Sequence, residues 1–168
     1  MASRIIYTDP DGNLCVITPA PHLDTPETID WVATETMAKA GMPPTPYEIV
    51  DHTELPPRRF RGAWKRNGKA ITVDLDAAKT IRVAELEREK AALTKTVVED
   101  HMLALVMRDD VYAEETRQKV QALTALDKTT IEAAVADVAD LDALDKHEPD
   151  AIKDAKPKVR QHGGQRQA

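Results

Sequence analysis

A chain of 168 residues with 42% hydrophobic content has room for one or two compact units, but its aromatic content of 4% is low. Trp31, Trp64, Phe60, Tyr7, Tyr47 and Tyr112 are the whole aromatic supply, too few to line a large apolar substrate cavity, so an enzyme-like pocket is disfavoured. The net charge of −6 comes in blocks, −6 over residues 1–52, +5 over 53–69, −9 over 74–150 and +4 over 151–168, which suits self-association or docking on charged protein surfaces better than nucleic acid.

The chain opens with two apolar runs, Arg4-Ile5-Ile6-Tyr7 and Leu14-Cys15-Val16-Ile17-Thr18, around Asp9-Pro10-Asp11-Gly12-Asn13. Those turn residues supply a fixed φ and a position tolerant of φ > 0, which predicts a β-hairpin. Thr25 as N-cap, Pro26 at the first helical position and Glu27 in the first turn then predict a helix of about 15 residues. It presents Ile29, Val32, Ala33 and Met37 on one face and ends at Gly41 before Pro43 and Pro44. Tyr47–Asp51 reads as a strand, and Ala63-Trp64-Lys65 with Ala70–Val73 as a second hairpin around Asn67-Gly68.

From Ile71 to Glu148 there is neither Gly nor Pro, and good helix formers dominate. Asp74 is the expected N-cap of a helix reaching Arg108, with a break at Asp109-Asp110. A second helix is expected over Val111–Leu126, and a third opens on Thr129 and Glu132 at capping-box spacing and runs to Pro149. Leu86, Leu93 and Val97, with Val98, Met102 and Leu105 on the adjacent face, form a narrow apolar stripe. Either an intrachain helical hairpin or intermolecular packing would bury it. The expected fold class is therefore α+β: a small β-rich head with one short helix over 1–73, a helical arm or hairpin of about three helices over 74–149, and a basic flexible tail over 150–168.

Candidate chemistry is sparse. The single Cys15, between Leu14 and Val16, reads as a small buried strand residue. His22 and Asp24 form one short pair and read as a loop polar cluster rather than a metal site. Glu99, Asp100 and His101 are adjacent on a helix and cannot converge on one ion. Asp109 and Asp110 lack a second group to split their pKa values, so they read as solvated helix-end acids. No catalytic residue, metal or cofactor is expected, nor a signal peptide or membrane span, and the chain reads as soluble and made in the cytoplasm. The strongest nucleic-acid candidate is Arg58, Arg59, Arg61, Lys65, Arg66 and Lys69 interleaved with Phe60 and Trp64. The favoured alternative puts the two aromatics in the head core and turns the cations toward an acidic protein surface.

Arg4-Ile5-Ile6-Tyr7, Pro10-Asp11-Gly12, Val16-Ile17, Pro19, Pro21, Tyr47-Glu48-Ile49-Val50-Asp51, Leu55-Pro56 and Arg59-Phe60-Arg61-Gly62-Ala63-Trp64 together resemble a family of small tailed-bacteriophage proteins encoded among the tail genes. The likeness covers residues 1–125 and includes the Val73-Asp74 step into a charged helix. It departs at Arg59-Phe60-Arg61-Gly62, where the family pattern has Asp-Arg before the Phe and Asn before the Ala. The resemblance implies a non-enzymatic structural component of the virion, associated with the tail, its fibre or the baseplate, or else a tail-fibre or tail assembly chaperone absent from the finished particle. Other phage tail or fibre proteins and copies of the chain itself are the expected partners. The expected contact residues are Arg58, Arg59, Phe60, Arg61 and Trp64 in the basic loop, Leu86, Leu93, Val97 and Met102 on the arm, and Lys156, Lys158 and Arg160 in the tail.

Overall fold

In the first hairpin, Asp9 organises the turn. Its carboxylate accepts from the Asn13 backbone N–H at 2.7 Å and from Asn13 Nδ2 at 3.0 Å, bonds that hold the carboxyl below its ordinary pKa. Gly12 supplies the positive φ of +86° that the turn requires. The computed structural model describes residues 2–43, 45–67 and 70–157, which fall into two compact units, Met1–Ala78 and Lys79–Ala168.

In the first unit, β1 (Ser3–Thr8) is the centre of an antiparallel sheet, flanked by β2 (Leu14–Ile17) and β3 (Tyr47–Asp51). Strand alternation puts Ile5 and Tyr7 on one face with their partners Ile17, Cys15 and Tyr47, and Ile6 on the other with Val16 and Glu48. Helix α1 (Ile29–Lys39) covers the first face with Ile29, Val32, Ala33 and Met37, the four residues its periodicity singles out. The helix is 11 residues long, shorter than expected, because residues 25–28 form a separate turn. There Thr28 Oγ1 donates to the Leu23 carbonyl at 2.8 Å, and Ile29 N–H to that of Thr25 at 3.0 Å. At its other end Gly41 (φ +69°) forms a Schellman motif: its N–H reaches the Ala38 carbonyl, and Met42 N–H reaches that of Met37.

A second sheet pairs β4 (Trp64–Asn67) with β5 (Ala70–Val73), the expected second hairpin, whose connecting residues 68 and 69 lie outside the described set. It covers the Ile6 face of the first sheet, with Arg66 Nη2 on β4 donating to Glu48 Oε1 on β3 at 2.9 Å. Among the described residues there are thus five strands, those of the two expected hairpins and the single strand between them.

Helix α2 (Leu75–Met107) begins as expected on Asp74, whose Oδ1 accepts from the N–H groups of Asp76 and Ala77, both at 3.1 Å. Lys65 Nζ holds the other Asp74 oxygen at 2.6 Å and keeps that carboxyl below its ordinary pKa. This tie, with Ala78 fully buried, keeps the first turn of α2 in the first unit, so the unit boundary falls at 78/79 rather than 73/74. Helix α2 ends at Met107 in a second Schellman motif, here with Arg108 at φ 54°: Arg108 N–H donates to the Leu105 carbonyl and Asp109 N–H to that of Ala104.

The second unit continues with α3 (Asp110–Ala125), α4 (Lys128–Ala136), α5 (Leu141–Lys146) and α6 (Asp150–Ala155). Aspartate side chains start three of these helices: Asp109 accepts from Tyr112 N–H, Asp127 from Thr130 N–H and Asp140 from Ala143 N–H. Two expectations are corrected here. The cap of α4 is Asp127, not Thr129, and the single third helix is two helices, because Asp140 adopts an extended backbone (ψ 166°) and starts a new one. Residues 150–155, expected to be flexible tail, form α6, which packs on α3 with Ile152 fully buried.

Helix α2 also serves the other ends of its neighbours. Lys79 Nζ donates to the Ala136 carbonyl at 2.7 Å at the end of α4, and Lys90 Nζ to the Leu126 carbonyl at 2.5 Å just past α3. Arg82, only 5% exposed, donates from Nε and Nη2 to the His147 carbonyl just past α5, at 3.2 and 2.5 Å, and pairs with Glu85 at 3.3 Å. Each cation meets carbonyls that no further helical turn satisfies, at the negative end of a helix dipole. Among the described residues no helix is long and apolar enough to cross a membrane.

Two outcomes follow for stability. Arg82→Met should lower the unfolding free energy by about 2 kcal/mol in urea titrations, since it removes the charge-assisted bonds of a buried guanidinium to the His147 carbonyl. Arg108→Gly should raise it by about 0.5–1 kcal/mol in the same assay, because a left-handed backbone disfavours any side chain with a Cβ.

Candidate functional site

Two surfaces stand out, one in each unit. In the first, Pro56-Pro57 lead into a 3-10 stretch over Arg58–Ala63, kinked at Phe60 (φ −93°, ψ 23°). Phe60 and Ala63 are buried, whereas Arg58 and Arg61 line a cleft of ≈ 570 Å³. Arg4 and His52 complete its polar walls, and Val16, Leu55, Pro56 and Trp64 its apolar ones. Among the described residues no acidic side chain lines it.

The cations of this segment divide sharply. Lys65 pairs with Asp74 and Arg66 with Glu48, and Arg59, outside the cleft lining, is also engaged. The side chains of Arg58 and Arg61 make no hydrogen bond or ion pair among the described residues. Arg4 Nη1 donates to the Ser3 carbonyl at 2.8 Å, and His52 Nδ1 lies 3.1 Å from Asp51 Oδ1. Trp64 is 9% exposed, and its Nε1 is buried with no acceptor. The interleaving of basic and aromatic residues thus resolves into aromatics inside and cations outside. Phe60, fully buried, serves the core, and Lys69 lies outside the described residues.

The second surface is the end of α2. The seam residues Leu86 and Val97 are buried and Leu93 partly so, all within the chain, which settles their packing as intrachain. A polar clip holds α2 to α3 beside them: His101 Nδ1 lies 3.0 Å from the Ala113 carbonyl and 3.1 Å from Thr116 Oγ1. A carbonyl only accepts, so Nδ1 carries the hydrogen. The adjacent face is uncovered. Met102 is 58% exposed, Val106 78%, Met107 70% and Val111 83%, with Val98, Leu103 and Leu105 also exposed. Residues 102–107 read Met-Leu-Ala-Leu-Val-Met, apolar on every side of the helix, and only Ala104 is buried. A helix turn that is apolar all round belongs in an interior or an interface.

Of the tail residues, Lys156 is held within its own unit, between Glu148 and Glu89 (2.7 Å to the latter). Those hydrogen bonds, Glu148 first, raise its pKa, so its charge is engaged rather than offered to a partner. Lys158 and Arg160 lie outside the described residues. The weaker candidates have structural roles: Asp24 accepts from Ser3 N–H at 2.9 Å, and Asp109 caps α3. Among the described residues no group of three His, Cys, Asp or Glu side chains is placed to hold a metal ion.

Sequence reasoning missed Arg4 and His52 in the cleft, and Leu103, Val106, Met107 and Val111 at the end of α2. The second set carried a signal, a six-residue apolar run inside a charged helix. For Arg4, strand alternation with Ile6 gave the face but not what covers it. Compared with known proteins, the chain matches no family model, no curated protein and no solved structure.

Proposed function

We propose that this chain is a non-enzymatic structural component of a tailed-bacteriophage virion, associated with the tail, its fibre or the baseplate, and that it acts through protein–protein contacts that include self-association. The observation that carries the contact role is the apolar end of α2. Seven large apolar side chains at 40–83% exposure, Val98 to Val111, lie along four turns of chain. They offer roughly 600–800 Å² of apolar surface, close to the share one partner gives a standard interface and above the patch usual on a monomer. Exposed Glu99, Arg108, Asp109 and Asp110 give that patch a charged rim.

The apolar run over residues 102–107 offers the same surface on every copy, so two copies can bury it against each other in an isologous contact. The resemblance of the N-terminal motifs to phage tail-gene proteins supports the virion setting. Exposed Met102 and Met107 favour a second reading, a tail assembly chaperone, because unbranched thioether side chains repack against varied apolar partners.

Light scattering of the purified chain should report a dimer or larger species at micromolar concentration. Met102→Asp/Val106→Asp should return it to a monomer with unchanged far-UV circular dichroism, since both side chains are exposed. A monomeric wild-type chain would remove self-association from the proposal. Mass spectrometry of virions of the encoding phage should find the chain at stoichiometric copy number, whereas absence from the particle would overturn the structural role in favour of the chaperone.

A further inference from the structure

We infer that the cleft of the first unit is a docking site for an acidic, partly apolar peptide segment of a partner protein, with an aspartate or glutamate carboxylate held between Arg58 and Arg61. Three observations converge on that chemistry. First, the cleft is lined by Arg4, His52, Arg58 and Arg61, and among the described residues no acidic side chain lines it, although His52 meets Asp51 outside the lining. Second, the neighbouring cations Arg59, Lys65 and Arg66 are engaged, whereas the side chains of Arg58 and Arg61 in the cleft lining make no hydrogen bond or ion pair among the described residues. Third, Val16, Leu55, Pro56 and Trp64 give the cleft an apolar wall beside the two guanidinium groups.

The occupant is a peptide rather than a nucleic acid for steric and electrostatic reasons. Single-strand recognition stacks bases on exposed aromatic faces, but Phe60 is fully buried and Trp64 nearly so. The chain's net charge of −6 repels a polyanion at long range, while leaving a local basic cleft attractive to a short acidic segment. A cleft of ≈ 570 Å³ takes a few side chains, and Val16, Leu55 and Pro56 give apolar residues beside the carboxylate a surface to bury. Guanidinium groups grip a carboxylate through two parallel N–H bonds, which a lysine cannot reproduce. The site shares no residue with the apolar end of α2, so the two proposals fail or stand separately.

The test uses the full chain carrying Trp31→Phe, a change at an exposed side chain that leaves Trp64 as the sole tryptophan reporter. A short peptide alternating glutamate with leucine should change Trp64 emission saturably. The same peptide with glutamine for glutamate should bind roughly tenfold more weakly or worse. Arg58→Ala/Arg61→Ala should weaken the glutamate peptide by at least a comparable factor, and Arg58→Lys/Arg61→Lys should restore only part of the loss. Equal binding of the glutamate and glutamine peptides, an unchanged affinity in the double alanine variant, or preferential binding of a single-stranded oligonucleotide would each overturn the inference. So would the absence of any saturable response. Because Arg58 and Arg61 are exposed, near-UV circular dichroism of the variants should match that of the parent.

Discussion

The second unit depends on one kind of contact: a cation on α2 donating to the carbonyls that a neighbouring helix leaves open at its end. Lys79, Arg82 and Lys90 do this for α4, α5 and α3 respectively. On a helix, positions 79, 82 and 90 lie within one narrow arc, so a single face of α2 gathers three helix ends. Each bond satisfies an acceptor that would otherwise be stranded near the core, and each sets a positive charge against the negative pole of a helix dipole. Without these contacts the short helices α4 and α5, of nine and six residues, have too few internal hydrogen bonds to persist.

The same arrangement explains where binding surface remains. Cations and the seam residues Leu86 and Val97 commit one arc of α2 to its own unit, and the polar clip of His101 with Thr116 closes that arc toward α3. Beyond it the helix runs on through residues 102–107, whose large side chains stay exposed among the described residues. In the first unit the segment Arg58–Ala63 divides in a similar way: Phe60 and Ala63 are buried while Arg58 and Arg61 line the cleft, so one short segment both fills the core and presents two guanidinium groups.

Elements driven by local chemistry were legible in the sequence. Asp9 to Asn13 announces the first hairpin, Asp74 the start of α2, and Asp109-Asp110 its break, because turns and caps are built from side chains within a few residues of the backbone they serve. The buried face of α1 was legible for the same reason of periodicity. The break at residues 137–140 was not, since no Gly or Pro marks it and Asp140 resembles any other acid of a charged helix until its backbone turns extended. Helix α6 was hidden by composition: Lys153, Lys156 and Pro157 suggest a solvated tail, but Ile152 and Ala155 find a berth on α3. The cleft was half legible, through Arg58, Arg61 and Trp64, because its remaining walls come from strands distant in sequence.

The span of the α2 contacts also orders how the second unit comes into being. The three cation–carbonyl bonds join residues 57, 65 and 36 positions apart, so α2 leaves the ribosome long before the helix ends it gathers exist. Until residue 147 has emerged, the nascent helix carries both its seam and its apolar end uncovered. Docking of α3 to α6 then hides the seam in a late, long-range step, the slow kind in a chain otherwise built from local contacts. Residues 102–107 gain no cover from that step, which leaves the finished chain with a patch as adhesive as the intermediate that preceded it.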